Sequence, residues 1–503
     1  MFSVSTSSRK FVAASVLGVS AALTLTGCFA SAGESASKST DRATVAMLQP
    51  PRSALNPLTD DAFKLSRWSA AETLVTLDAD SDAKPMLATE WTTDGALSWT
   101  FTIREEVKFH DGTPMTAANV VKSLQKAMNA APKPRILDGV KLEITANGEH
   151  QVVITTEVPD PLLAHRLSSP QLAIFADAAY KEDGTVTPMG TGTGPFKIVN
   201  IGGASTATLD RFEDYWGSKA QLAGIDVAYV NDGSARAAAL RTGTADVIEA
   251  VPVSQAPLLE ADLIHEVPMP RTNTLYLNNK KGAFADEAVR AAARAAIDSE
   301  AIVASVYEGR ADVAAGLLGP AIPWAADTRQ DVTSDVAAAK VSGQKVTLGT
   351  FTDRAELPEV AVLVEQQLEK AGFVVEQDVR EYANIEQDML AGAFDIVILS
   401  RATVLDSGDP VAYMFSDFAC QGSFNISQVC DKEIDEALRV ASEADAGEDR
   451  RKAIMAAEAL ILKRDVAIPM LHERVIQGES AAMSNVARDP RERMLITAET
   501  TKK

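Results

Sequence analysis

WTFTIREEVKFHDGTPMTAANVVKSLQKAM, residues 99–128, reads as a strand, a turn and a helix in that order. Trp99, Phe101 and Ile103 alternate with Thr100, Thr102 and Arg104, the period of a half-buried strand. Val107 and Phe109 continue the alternation, and His110-Asp111-Gly112-Thr113-Pro114 supplies turn chemistry. Thr116 then caps a helix whose apolar stripe is Val120, Val121, Leu124 and Met128. His110 beside Asp111 suggests acid–base work, but a turn and a cap use the same residues, so the unit reads as scaffold.

The same run, Val107-Lys108-Phe109-His110-Asp111-Gly112-Thr113-Pro114 followed by Thr116-Ala117-Ala118-Asn119-Val120-Val121, resembles a signature of the family 5 (peptide/nickel-type) extracellular solute-binding proteins of ABC importers. That family writes it V-K-F-H-D-G-x-P-x-T-A-x-D-V-V, and Asn119 stands where it usually has Asp. Further matches are Glu72-Thr73-Leu74-Val75, Pro85 to Trp91, Arg211 to Gly217, Leu240 to Val247, Val289 to Asp298 and Ile468-Pro469-Met470. The resemblance implies an α/β, bilobed fold of the periplasmic-binding-protein type (type II, cluster C) with an extra subdomain in lobe I. It places lobe I at 43–270 with the extra subdomain at about 76–188, lobe II at 271–467, and a return to lobe I at 468–503.

Outside those motifs the chain bounds its own class. Its 503 residues, 46% apolar and 23% charged, are ordinary for soluble globular lobes. A net charge of −21 argues against a nucleic-acid partner, whose phosphates demand a basic surface. Arg9 and Lys10 precede a 17-residue apolar run, Phe11 to Gly27, short for a membrane span and suited to a secretory signal. Leu25-Thr26-Gly27-Cys28 resembles a bacterial lipoprotein processing site. Residues 1–27 are therefore expected to be a signal peptide, Cys28 the lipid attachment point and 28–42 a flexible tether. That places the protein outside the cytoplasm, anchored to the outer face of the cell membrane or on the periplasmic side. Cys420 and Cys430 remain, an even pair in an exported chain, and are expected to form a disulfide.

Gly190-Thr191-Gly192-Thr193-Gly194 has the look of a phosphate loop, but Phe196-Lys197-Ile198-Val199 after it is a strand. No helix N-terminus faces an anion there, so a nucleotide is rejected. From 345 to 400 the pattern is strand, helix, strand, helix, strand, with nearly unbroken apolar strands, which implies a parallel doubly wound sheet. Ligands on such sheets sit beyond the carboxyl ends of the strands. The segment leaving the last strand, Arg401 to Pro410, is the site candidate on those grounds.

In peptide-binding relatives this segment reads W-x-x-D-x-x-[DE]-P, and the resemblance puts Asp406 against the ligand's ammonium group, with Thr403 where those relatives carry tryptophan. Tyr413 either lines the pocket or packs. Tyr276 and Asn278, near the crossing between lobes, complete the candidate set with Arg401. The implied function is capture of di- or oligopeptides by hinge closure and delivery to an ABC permease and its ATPase, by a monomer without cofactor. A nickel chelate or metallophore, or an oligosaccharide, is the alternative ligand. Direct metal coordination is poorly supported by five scattered histidines. No enzyme is expected, since neither Gly-x-Ser-x-Gly nor His-Glu-x-x-His occurs. A receptor that uses the same scaffold without transport differs only in its partners.

Overall fold

The computed structural model describes residues 41–503 apart from 138, 331, 333, 355, 405 and 406. Cys28 and Asp406 thus lie outside the described residues. Among the described residues one eleven-stranded sheet runs through the molecule. One end is built from Phe373–Arg380, Gln344–Phe351 and Ile396–Ala402, the other from Arg42–Met47, Gly224–Tyr229, Thr206–Arg211 and Phe196–Gly202. Two long strands join them: Ile264–Leu277, leaving the first half, and Ala467–Glu479, returning to it.

Gln344–Phe351 pairs in parallel with both Phe373–Arg380 and Ile396–Ala402, the arrangement expected of the regular strand–helix pattern. The intervening helix is Glu356–Lys370, and Gly372, at φ +101°, turns the chain out of it. A Cβ is strained at that angle, so glycine suits the position. Helix Glu356–Lys370 packs against these three strands, and the resulting core draws only on residues between 275 and 471. A second core gathers residues of 43–247 with Met483, Val486, Leu495 and Ile496 from the end of the chain. The polypeptide therefore leaves the first core, builds another, and comes back.

The stretch 99–128 behaves as its periodicity indicates. Ser98–Ile103 is a central strand of a four-stranded antiparallel sheet with Ala88–Asp94, Gln151–Thr156 and Leu142–Ala146. Trp99, Phe101 and Ile103 point into a core of their own, built from residues 74–176. The helix spans Ala117–Met128, and the Thr116 N–H donates to Asn119 Oδ1 at 2.9 Å. Asn119 closes this capping box as well as an aspartate would, because the bond uses a side-chain oxygen that both residues carry.

The recognisable motifs converge on one knot in this half. The His110 ring bonds the Gly194 carbonyl at 2.8 Å, and Lys197 donates to the His110 carbonyl at 2.7 Å. Gly194 packs so closely that a Cβ would stand 2.0 Å from the Ser69 carbonyl oxygen. Close packing, and not anion binding, is what the glycines serve. Glu72 accepts from Tyr215 Oη at 2.7 Å and Trp216 Nε1 at 2.9 Å, while the Arg104 guanidinium lies 4.2 Å over the Trp216 ring. Arg290 donates to the carbonyls of Phe284 and Arg464, at 2.8 and 3.0 Å, and pairs with Glu287 at 3.6 Å.

Candidate functional site

The carboxyl ends of the three parallel strands open at the place where the crossing strands leave for the other half. Ile264–Leu277 runs antiparallel to Ile396–Ala402, with Arg271 opposite Ala402. The Arg271 position therefore shares an end with the carboxyl terminus of Ile396–Ala402. Arg354, just after Phe351, pairs with Glu473 of the return strand at 3.1 Å. Thr403 is buried, with its N–H and hydroxyl both donating to the Pro270 carbonyl, at 2.8 and 3.1 Å. The exit of the last strand is thereby tied to the outgoing crossing strand.

Three candidate residues meet in one buried cluster around a fourth that periodicity does not single out. Arg401 makes a two-pronged pair with Asp417, Nε to Oδ2 at 2.7 Å and Nη2 to Oδ1 at 2.6 Å. Asp417 is fully buried in helix Val411–Phe418. Tyr276 donates its hydroxyl to Asp417 Oδ2 at 3.3 Å and stacks on Phe418. Tyr413 meets Phe418 edge-on, and Arg401 lies 4.1 Å over the Phe424 ring. Burial opposes the charge on Arg401, but its bonds to Asp417 hold its pKa above the ordinary range. Burial raises Asp417, and Arg401 counters it. A buried pair of this kind is kept by mutual compensation, since losing one partner leaves the other charge unmatched. The signal for Asp417 in the sequence is a lone acid inside the apolar helix VAYMFSDF.

Asn278 stands at the other end of the outgoing strand. Its amide donates to the Gly392 and Phe394 carbonyls, both at 3.1 Å, and its oxygen accepts from the N–H groups of Lys280 and Lys281. That end also carries a hollow of about 680 Å³ rimmed by Asn279, Arg290, Arg464 and the Cys420–Cys430 disulfide. The hollow is on the far side of this half from the strand exits.

The two halves also touch directly. Arg451 of helix Glu448–Lys463 reaches Asp82 of the first half at 2.7 Å and lies over Trp324. A Cβ on Gly408 would come within 2.6 Å of Leu77 Cδ1, so the chain just past the last strand lies against the opposite wall. Asp409 receives the Val411 N–H at 2.9 Å and a two-pronged bond from Arg450 at 2.6 and 3.1 Å. His165 also lines this contact, and burial lowers its pKa below the ordinary imidazole value.

Two halves joined by two crossing strands, with the strand exits of one half against the other, is the arrangement of a bilobed solute-binding protein. The model of the bacterial extracellular solute-binding proteins, family 5 (middle) matches residues 82–425. The chain belongs to that family. It is 27% identical over 356 residues to the probable D,D-dipeptide-binding periplasmic protein DdpA of Escherichia coli (strain K12), covering 67% of this chain and 68% of that one. It is 27% identical over 351 residues to the nickel-binding protein NikA of Staphylococcus aureus (strain NCTC 8325 / PS 47), covering 67% and 69%. The nickel ABC transporter structure from Bacillus halodurans superposes with a TM-score of 0.78 over 92% of this chain and all of that one, at 24% identity. This family 5 solute-binding protein is thus a bilobed α/β protein of the peptide/nickel type. Its relatives are transport proteins and not enzymes.

Proposed function

We propose that this solute-binding protein is the lipid-anchored, monomeric receptor of an ABC importer, capturing a peptide or peptide-like solute between lobes formed by 43–270 with 468–503 and by 271–467. Cys28 carries the lipid, and the ligand passes to a membrane permease driven by its ATPase. The observation that supports this most is the junction itself: the parallel strand exits, the crossing strands and the first half, through Leu77 at Gly408 and Asp82 at Arg451, meet at one place, so a solute held there would touch both lobes. Closure then depends on contacts made to the two at once. Asp406 takes the ligand ammonium, a role suited to a carboxylate in a partly desolvated crevice. Arg401, Tyr276, Tyr413 and Thr403 are the further residues of this proposed site. DdpA, named for binding a D,D-dipeptide, supports the peptide class. The equally similar NikA favours a nickel chelate as the second reading.

The test is native mass spectrometry on the soluble form beginning after Cys28, with identification of what denaturation releases. A ladder of peptide masses that shrinks in Asp406→Asn is the expected result. A single chelate mass, unchanged by that substitution, supports the second reading and removes Asp406 as the anchor.

A further inference from the structure

Buried guanidinium groups in this protein come with partners. Arg236 donates to the carbonyls of Val230, Asn231, Glu249 and Ala250, and Arg450 makes its two-pronged bond to Asp409. Arg271 departs from this rule. It is half-buried where the outgoing strand pairs with the carboxyl end of Ile396–Ala402, and no described residue offers its guanidinium a carboxylate or carbonyl at bonding distance. The charged groups facing it are Arg354, Glu473, Glu492 and Arg401. Each is engaged elsewhere: Glu473 with Arg354 at 3.1 Å, Glu492 with Arg67 at 2.8 Å, and Arg401 with Asp417 at 2.6 Å. The pairing of the two crossing strands is also interrupted between Pro268 and Thr272, so the backbone at Arg271 lies within a break of the ladder. An uncompensated charge held partly out of water is costly to the folded protein, and the cost is relieved when an anion arrives.

We propose that Arg271 is the subsite for a carboxylate of the captured solute, a role that rests on the solute-capture reading above. The planar guanidinium matches a carboxylate through two parallel N–H···O bonds. Glu473 and Glu492 nearby favour a singly charged carboxylate over a doubly charged phosphate, since each added negative charge is repelled by both. Burial, with the positive charge of Arg354, holds the Arg271 pKa below its ordinary range, in keeping with a cation short of a counter-charge. Both ligand classes in view carry such a group: the free C-terminus of a peptide, or the acid of an amino-acid chelate of nickel.

The experiment uses the whole soluble chain after Cys28, unfolded, dialysed and refolded to remove bound solute. Two probes are titrated: an equimolar pool of synthetic tripeptides, with free or amidated C-termini, and nickel(II) with histidine. Variants are Arg271→Gln and Arg271→Lys, with thermal melting recorded for each. Wild type should bind at least one free-acid probe. Arg271→Gln should bind it roughly 10- to 100-fold more weakly, the scale of a charge-assisted two-pronged bond. Arg271→Lys, which keeps the charge without the fork, should fall between. The melting temperature of Arg271→Gln should be equal or higher, because an unmatched charge is removed. Amidated peptides should not distinguish wild type from Arg271→Gln. Equal affinity of wild type and Arg271→Gln for a free-acid probe would overturn the Arg271 subsite and leave the solute-capture reading standing. A lower melting temperature for both variants would overturn it in favour of a structural role. Failure of wild type to bind either probe would overturn the peptide and chelate readings together, and the subsite with them.

Discussion

Glu72 shows how a single residue links the family's motifs to a measurable property. It is 3% exposed, and burial lifts its pKa to about 7 against the bonds from Trp216 and Tyr215. The folded state therefore keeps a proton that the unfolded chain releases from about pH 4.5 upward. Protons bound are fewer in the unfolded state across that window, so stability falls as pH rises from about 4.5 to about 7. The shift corresponds to at most about 3 kcal/mol. Denaturation of wild type and Glu72→Gln at pH 5 and pH 7.5 should show a loss in wild type that the variant lacks, whatever its absolute stability. Identical slopes would mean that Glu72 titrates normally. At this scale the sequence is only half legible. Glu72, Tyr215 and Trp216 all lie in readable motifs, but their meeting spans 143 positions and no local period reports it. Asp417 was within reach, since a lone acid on an apolar helix implies a buried partner. That the partner is Arg401 depends on tertiary packing.

Elements are more legible than residues, because periodicity is a local property. The strand, helix, strand, helix, strand order expected of residues 345–400 is present as Gln344–Phe351, Glu356–Lys370, Phe373–Arg380, Tyr382–Leu390 and Ile396–Ala402. The outgoing crossing strand is the exception. It begins at Ile264, six residues before the expected crossing at Pro270, because His265, Glu266, Pro268 and Pro270 break the apolar alternation that marks a strand. Its partner strand across the junction supplies the pairing that the sequence alone conceals. The Cys420–Cys430 pair is another element-scale feature, expected from cysteine count and present as a disulfide closing a separation of 10 residues. Closing a loop of that length stabilises by about 2.5 kcal/mol through the unfolded chain. The double variant Cys420→Ser/Cys430→Ser should lose that much in urea denaturation, with an affinity for solute within about twofold of wild type, because the bridge lies at the far end of its lobe from the strand exits proposed to hold the solute. A large loss of affinity in a folded double variant would connect the two ends.

For the whole molecule, the decisive feature is that two halves are joined through one sheet by two strands, while direct contacts such as Arg451 with Asp82 bridge them. That pair is partly exposed and contributes about 0.5 kcal/mol. The bilobed class was legible because long motifs carry it. The solute was not, because the residues proposed to hold it, Arg271 and Arg401 among them, come from distant segments of the chain. The central claim is capture by closure, and small-angle X-ray scattering tests it most directly. Solute-free protein should have the larger radius of gyration, and adding back the released solute should contract it, with half the change at the solute's dissociation constant. A radius that stays constant while binding is confirmed by mass would contradict closure on the solute.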